Sequence, residues 1–322
     1  MLIGNERIKK LLRRAVSEGR IGQSLLMAGP RGVGKYQFAI ALAQALNCDS
    51  VEQGGACGQC IQCRKISSGE HGDVQTFRND GQFIKIDQMR GMSRDAQFMP
   101  YEGRHRVLII DEADRMNAAS SNSILKTLEE PPPSTLVILV TAKPYGLLET
   151  IRSRCQMLSF GPLRAEEIEE YLQTVKSIPA EEARLRARLS QGSIGHALEI
   201  DLDEYRNTRT TMLELVETLG VSREIKAMLS ISEHLGRKLE KEGFETHMDA
   251  LLVLLSDLFR LKLNAAEAEL TNADIAGRLK RVSEQITLDQ ITTWLDRIEE
   301  IFRGLPRNVN RQLAMDAMLI GG

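Results

Sequence analysis

A glycine-rich loop between a short apolar run and a helical segment is the feature that most constrains this chain. It lies in the stretch MAGPRGVGKYQFAIALAQAL, residues 27–46. Gly29, Gly32 and Gly34 let the backbone turn its N–H groups toward a phosphate, and a helix that begins near Lys35 adds a favourable dipole. Lys35 would contact the β- and γ-phosphates. The alternative is a plain glycine-rich turn between a strand and a helix, since such short motifs recur by chance.

The residue after the lysine departs from the phosphate-loop pattern. That pattern, Gly-x-x-x-x-Gly-Lys-[Ser/Thr], needs a short hydroxyl side chain because its oxygen is a ligand of Mg²⁺. This chain has Tyr36 there, whose phenol is too long and rigid to place an oxygen at the same point. We therefore expect that phosphate binding can survive and that Mg²⁺ is poorly positioned.

Short apolar runs alternate with helical segments between residues 24 and 162, which predicts a parallel sheet covered by helices. The clearest strands are SLLMAG, HRVLIIDEA and STLVILVTA. Between the last two, Asn117 can cap a helix, and three prolines prevent that helix from continuing past Glu130. The expected fold class of this part is α/β.

With 322 residues, the chain exceeds the size of a single hydrophobic core, so two or three domains are expected. From Ala165 onward it reads almost wholly as helix. We predict an α/β domain at 1–163, a small helical domain at 164–201 and an all-helical domain at 202–322. One late helix should bury a single apolar face, formed by Trp294, Leu295, Ile298, Ile301 and Phe302.

Two acidic residues, Asp111 and Glu112, end the apolar run VLII. An aspartate at the end of a buried strand can hold Mg²⁺, and an adjacent glutamate can orient and deprotonate an attacking water. A charge pair at a strand end is often only a solvated turn. Together with the upstream loop, however, the pair favours a nucleotide site.

Four of the five cysteines follow the phosphate-loop segment. Cys48, Cys57, Cys60 and Cys63 have the spacing C-x8-C-x2-C-x2-C, in which two-residue gaps let thiolates converge on one ion. Four thiolates without histidine predict a closed, structural Zn²⁺ site that offers no open position for catalysis. A disulfide or a redox CxxC motif is the less favoured interpretation.

Composition and charge limit the classes of partner. The net charge is −2, which gives no global field toward nucleic acid or an anionic membrane, so any DNA contact must be local. The start of the chain lacks the pattern of a signal peptide, and Asp257 and Arg260 interrupt the most apolar stretch, so we expect a cytoplasmic protein without a membrane span. Candidates for DNA contact are Lys9, Lys10, Arg13 and Arg14 near the first helix, and Arg104 and Arg106 before the second strand. For the first four, a solvated helix face is the favoured interpretation.

The segment RSRC, residues 152–155, precedes the last strand expected in the first domain. An arginine there could pair with a surface carboxylate or reach a nucleotide on a neighbouring subunit. With GPRGVGK, the cysteine module, VLIIDEADRMN, NSILKTLEEPP and NVNRQLAMDAMLI, the ordered set resembles the bacterial clamp-loader ATPase family of the AAA+ class. The resemblance covers nearly the whole chain and implies that Arg154 is an arginine finger. It also implies that Thr141 is a nucleotide sensor.

Within that family the chain resembles the delta-prime type of subunit more than the gamma/tau motor. Tyr36 replaces the metal ligand, and Gly195 stands where the motor pattern has a lid arginine. The resemblance then implies three regions: a phosphate-loop domain with a zinc module, a helical lid and a helical collar. It implies a stator in a pentameric loader, with gamma/tau and delta as partners, which loads a sliding clamp onto primed DNA. Its own use of ATP and Mg²⁺ would be weak.

Three rival interpretations remain open at this point. The first is an active motor ATPase of the same family, in which Lys35 still serves hydrolysis. The second is a zinc-organised replication scaffold with no role in hydrolysis. The third, an unrelated phosphate-loop enzyme, is disfavoured because no other catalytic cluster is evident in the sequence.

Overall fold

The computed structural model describes residues 2–79, 81–222, 224–304 and 310–320. The chain divides into two compact units, which span residues 1–199 and 200–322. The first unit contains a parallel sheet of five described strands in the order β2-β3-β4-β1-β5. These strands are β1 Ser24–Ala28, β2 Val74–Phe77, β3 Arg106–Ile110, β4 Thr135–Thr141 and β5 Gln156–Ser159.

Successive residues of a strand point to opposite faces of the sheet, so the buried strands place apolar side chains on both faces. Helices cover each face. Leu25 and Met27 pack toward one face, with Phe38, whereas Leu26 packs toward the other, with Ile124. The flanking helices are α1 Glu6–Ser17, α2 Lys35–Asn47, α3 Ile61–Ser68, α4 Ile86–Asp95, α5 Ala118–Glu129 and α6 Glu149–Arg152. The predicted α/β class is confirmed.

The three strands expected from continuous apolar runs are β1, β3 and β4, and each is fully buried. The expected helix between β3 and β4 is α5: Asn117 accepts a hydrogen bond from the Ser120 N–H at 2.9 Å, and the helix ends before the prolines. Strand β2 was not among the predicted strands. It is an edge strand in which only Val74 is buried and Thr76 is exposed, so it lacks a continuous apolar run.

Three further helices complete the first unit: α7 Ala165–Thr174, α8 Ala180–Leu189 and α9 Ile194–Glu199. They share a small core that includes Leu163, Ile168, Leu172 and Ala183. This core is separate from the two that cover the sheet. The α7–α9 group is called the lid below.

All secondary-structure elements among the described residues of the second unit are helical. Its helices are α10 Leu202–Glu217, α11 Ile225–Glu233, α12 Lys241–Lys262, α13 Ala276–Gln285, α14 Leu288–Gly304 and α15 Arg311–Ile320, with π-helical turns at Thr218–Ser222 and His234–Lys238. The predicted apolar face of α14 is confirmed: Trp294, Ile298 and Ile301 are buried, and Leu295 and Phe302 pack against the same core.

The predicted domain boundaries at 163 and 201 stay predictions. Residues 223, 305–309, 321 and 322 of the third predicted domain lie outside the described residues; they include Asn308 and Val309 of the closing family motif. The apolar stretch that holds Asp257 forms helix α12. Within the described ranges, no helix is both long and apolar enough to cross a bilayer.

Candidate functional site

The phosphate loop lies between the end of β1 at Ala28 and the start of α2 at Lys35. Gly32 has a φ of +73°, and a Cβ built on it would lie 2.2 Å from Ser193 Oγ and 3.3 Å from the Gly195 backbone, so a larger residue would strain the loop and displace the Ser193 side chain. The Lys35 ammonium donates to the carbonyl oxygens of Gly29 and Pro30 at 2.7 and 2.5 Å. Burial lowers the pKa of Lys35. The lysine is thus held inside the loop.

The lid touches the phosphate loop through backbone at Gly195, the first turn of α9. Its N–H donates to the Gly32 carbonyl oxygen at 3.0 Å. A Cβ at Gly195 would lie 3.1 Å from the Gly32 Cα, which is tighter than an ordinary contact. The absence of a side chain at this position therefore permits the approach of lid and loop.

Asp111 and Glu112 directly follow β3, and each is bound by an arginine of the same chain. Arg78 donates through Nε to Asp111 Oδ2 at 3.2 Å. Arg31 donates to Glu112 Oε1 at 3.1 Å. The two carboxylates that the sequence offers for Mg²⁺ and for a water are therefore already paired.

Tyr36 turns away from the phosphate loop toward the edge of the sheet. Its hydroxyl lies 3.2 Å from Thr76 Oγ1 in β2. The Arg78 guanidinium carbon lies 4.6 Å from the centre of its ring, which is within cation–π range. The Tyr36 oxygen is thus committed to β2 rather than to a metal position beside Lys35.

Thr141, the predicted sensor, ends β4 and is opposite Ala28 in the sheet. Its hydroxyl donates to Asp114 Oδ1 at 2.5 Å and accepts from the Lys143 N–H at 2.9 Å. The predicted phosphate-loop residues, the acidic pair and Thr141 come together at the carboxyl ends of the strands, where ligands bind in open α/β sheets.

These groups line a cleft of about 780 Å³ within the first unit. One part is charged and includes Lys35, Asp111 and Arg78; another part is apolar and includes Leu2, Tyr171 and Leu198. Sequence reasoning missed Arg31 and Arg78. Arg31 stands at a variable position of the phosphate-loop motif, and Arg78 stands in no motif; their partners are 81 and 33 residues away along the chain.

Arg154 lies in the turn between α6 and β5 and does not line this cleft within the described part of the chain. Its guanidinium donates to Glu129 Oε1 through Nε at 2.6 Å and to the Thr150 carbonyl oxygen at 2.8 Å. The side chain is 31% exposed. An arginine in this place has no contact with the phosphate loop of its own subunit.

The four predicted metal ligands come together. The sulfur atoms of Cys48, Cys57, Cys60 and Cys63 all lie within 4.8 Å of one another. Sulfurs around a tetrahedral Zn²⁺ are about 3.8 Å apart, given Zn–S bonds of about 2.3 Å, and Cys48 and Cys60 are 4.0 Å apart. The donor set and its spacing fit a metal ion such as Zn²⁺.

Backbone N–H groups prepare these sulfurs to carry charge. Those of Gln59 and Cys60 lie 3.4 and 3.3 Å from Cys57 Sγ, and they lower the Cys57 pKa to about 6. Burial raises the pKa of Cys63. The fifth cysteine, Cys155, is outside the cluster, and burial raises its pKa to about 12.

Arg106 was a weak candidate for DNA contact, and the structure places it elsewhere. It is buried, and its guanidinium donates to Asp73 Oδ1 at 3.0 Å and to the Asp95 carbonyl oxygen at 2.8 Å. The side chain therefore holds the start of β3 and is not available to a nucleic acid. Its neighbour Arg104 is exposed.

Comparison with known proteins assigns the chain to a family. Residues 4–164 match the family model described as DNA polymerase III, delta subunit, and residues 213–321 match the model for the C-terminal part of that delta subunit. DNA polymerase III subunit delta′ of Bacillus subtilis is 31% identical over 98% of this chain and 94% of its own length.

DNA polymerase III subunit tau of Escherichia coli is 29% identical over 99% of this chain, which spans about half (52%) of that relative. A solved gamma subunit-related protein of Thermotoga maritima matches 97% of each chain at 16% identity and a TM-score of 0.43, a likeness too distant to bear on the site. The family resemblance read from the motifs is confirmed. The chain belongs to the DNA polymerase III delta′ family, among the clamp-loader subunits that include gamma and tau.

Proposed function

We propose that this chain is a stator subunit of the DNA polymerase III clamp loader that lends Arg154 to ATP on an adjacent gamma/tau subunit. In this proposal it assembles with gamma/tau and delta and supports ATP-dependent loading of the sliding clamp onto primed DNA. Its own hydrolysis is weak or absent. Asp111 and Glu112 are then remnants of a catalytic pair.

The observation that carries this proposal is the contrast between the two sites. In the chain's own cleft, the Tyr36 hydroxyl lies beside Thr76 and Arg78 donates to Asp111, the residue that would have to hold Mg²⁺. Arg154 lies apart from that cleft, and a third of its side chain is accessible. A guanidinium stabilises the charge on a transferring phosphoryl group, so Arg154 is useful only to another subunit's nucleotide.

The cysteine cluster has a structural part in this proposal. Cys48, Cys57, Cys60 and Cys63 would hold Zn²⁺ and fix the 48–63 insertion after α2. Four thiolates complete the coordination of the ion, so it would organise a surface for other subunits rather than take part in chemistry.

The test is ATP turnover by a reconstituted loader that contains this chain, with clamp and primed DNA present. A trans arginine contributes ~10³–10⁵ in rate at the site it serves. We expect Arg154→Ala to remove the turnover of that one site and Lys35→Ala to leave total turnover unchanged. Arg184→Ala is a matched control, because Arg184 is also partly exposed and paired with a glutamate at 3.5 Å.

The two rival functions give different results in the same assay. Loss of turnover with Lys35→Ala would identify an active motor subunit. Undiminished turnover with Arg154→Ala, in a loader that assembles normally, would identify a scaffold without a role in hydrolysis.

A further inference from the structure

The cleft beside the phosphate loop does not fit the Mg²⁺ ion that its motif implies. Two groups would have to be free for that ion: a hydroxyl at position 36 and the carboxylate of Asp111. The Tyr36 hydroxyl lies 3.2 Å from Thr76 Oγ1, in another strand. Asp111 accepts from Arg78 at 3.2 Å. Both positions that the motif reserves for the metal are therefore engaged.

The same arginine engages both of them. Arg78 follows β2 directly, and Phe77 of that strand is paired with Ile110, the residue before Asp111. This register brings the Arg78 side chain across the end of β3. Its guanidinium lies 4.6 Å from the centre of the Tyr36 ring while its Nε bonds Asp111. One protein cation thus contacts the two residues that would otherwise share a metal ion.

Arg78 remains accessible from the cleft. Its side chain is 57% exposed while it lines the cavity, so these contacts do not bury the guanidinium. Arginine presents several N–H donors in a fixed plane and is suited to phosphate oxygens. It can hold Asp111 on one side and a phosphate on another.

The charge balance of the cleft favours an anion without a metal. Among the described lining residues, five are cationic and three are carboxylates, which leaves an excess of two positive charges. Mg²⁺ ordinarily supplies such positive charge between carboxylates and substrate phosphates. Here the protein supplies it, through Arg31, Lys35, Arg78, Arg115 and Lys143 opposite Asp111, Glu112 and Asp114.

The rest of the cavity indicates what the anion is attached to. Leu2, Ile3, Leu163 and Leu198 line it together with the ring of Tyr171. An apolar wall beside a cationic wall in a cleft of about 780 Å³ suits a base and a phosphate chain rather than a free phosphate ion.

We propose that this cleft binds a nucleoside di- or triphosphate without a divalent cation, with Arg78 supplying the positive charge that Mg²⁺ supplies at hydrolysing sites. The inference rests on the proposed function only in treating the cleft as a non-hydrolysing nucleotide site. The bound nucleotide is then a fixed part of the subunit rather than a fuel, and it joins the phosphate loop to the lid.

The test is equilibrium binding of MANT-ADP and MANT-ATP to the full-length chain, followed by fluorescence anisotropy. One titration contains Mg²⁺, and the other uses metal-depleted buffer without a chelator, so that the cysteine cluster keeps its metal. We expect equal affinity, within about twofold, in both buffers. Unlabelled ADP should displace the probe. Binding only with Mg²⁺, or no binding in either buffer, would overturn the proposal.

Variants of Arg78 give a second, independent readout. Arg78→Ala should weaken metal-free binding about tenfold or more, because a charge-assisted contact to phosphate is lost. The double variant Tyr36→Thr/Arg78→Ala should bind better with Mg²⁺ than without it. Arg104→Ala, an exposed arginine at the opposite end of β3, is the matched control and should bind as wild type.

The binding assay tests the nucleotide cleft and the loader assay tests the trans role of Arg154, so either proposal can be refuted without the other. Arg154 does not line the cleft, so Arg154→Ala should bind the probes normally whether or not it changes loader turnover. Failure of metal-free binding leaves the trans role of Arg154 intact. Unchanged metal dependence in both Arg78 variants would show that Arg78 does not take the part of the metal.

Discussion

The guanidinium of Arg154 is bound to the carboxylate of Glu129, the last residue of α5, 25 residues earlier in the chain. Both side chains are partly exposed, at 31% and 46%. Pairs exposed to this degree contribute only ~0.2–1 kcal/mol. The pair therefore orients Arg154 at the surface without holding it there against a stronger anion such as a γ-phosphate.

Glu129→Gln should therefore have a small effect. Releasing a pair of this strength changes loader turnover by at most about fivefold. Arg154→Lys should behave like Arg154→Ala, because a lysine ammonium cannot reproduce the planar donor fork. Turnover in the reconstituted loader measures both. A Glu129→Gln variant as inactive as Arg154→Ala would mean that Arg154 needs its pair with Glu129 in order to act.

Tyr36→Thr alone should not create a hydrolysing site. The substitution restores the hydroxyl of the motif, but Asp111 still accepts from Arg78, and Gly195 supplies no lid arginine. Turnover should stay at background in a loader whose gamma/tau subunits carry inactivated phosphate loops. Turnover that rises with Tyr36→Thr and falls again with Lys35→Ala would contradict this expectation.

The cysteine cluster should contain about one Zn²⁺ per purified chain. Cys63→Ser should lose the metal and lower the melting temperature by about 5 °C or more, since a buried ligand of a structural site is removed. Metal analysis and thermal unfolding measure the two effects. Cys155→Ser is the control and should keep its metal, because Cys155 lies outside the cluster. A wild-type chain purified without metal would refute the zinc assignment.

Asp73 should stabilise the first unit in a pH-dependent way. Its carboxylate accepts from Arg106 and from the backbone N–H groups of Tyr101, Glu102 and Gly103. Burial alone raises the pKa of Asp73, but these N–H groups and the Arg106 charge outweigh burial and lower it below its ordinary value.

A carboxyl with a lowered pKa in the folded state stabilises the fold above its unfolded pKa of about 3.9 and loses that contribution as pH falls below it. Asp73→Asn should cost about 3–5 kcal/mol at neutral pH, because it leaves Arg106 buried without its anion. That difference from wild type should shrink below about pH 4. Urea unfolding across pH measures it; a difference independent of pH would contradict this role.

Sequence patterns were sufficient to predict those features whose physical cause lies in neighbouring residues of the chain. The apolar runs of β1, β3 and β4 are continuous because central parallel strands are buried on both faces. The cysteine spacing predicted convergence because two-residue gaps restrict where successive thiolates can point. Strand β2 was not predicted, because an edge strand is buried on only part of its surface and has no continuous apolar run.

The state of the nucleotide cleft depends on contacts between distant segments. The sequence by itself determined that a phosphate loop, an acidic pair and a tyrosine in place of a metal ligand occur in this order, and that Arg154 precedes the last strand. Only the tertiary structure decided that Arg78 contacts both Tyr36 and Asp111 and that Arg31 donates to Glu112. Sheet order and register bring these charges together, and neither is written in any local pattern of residues.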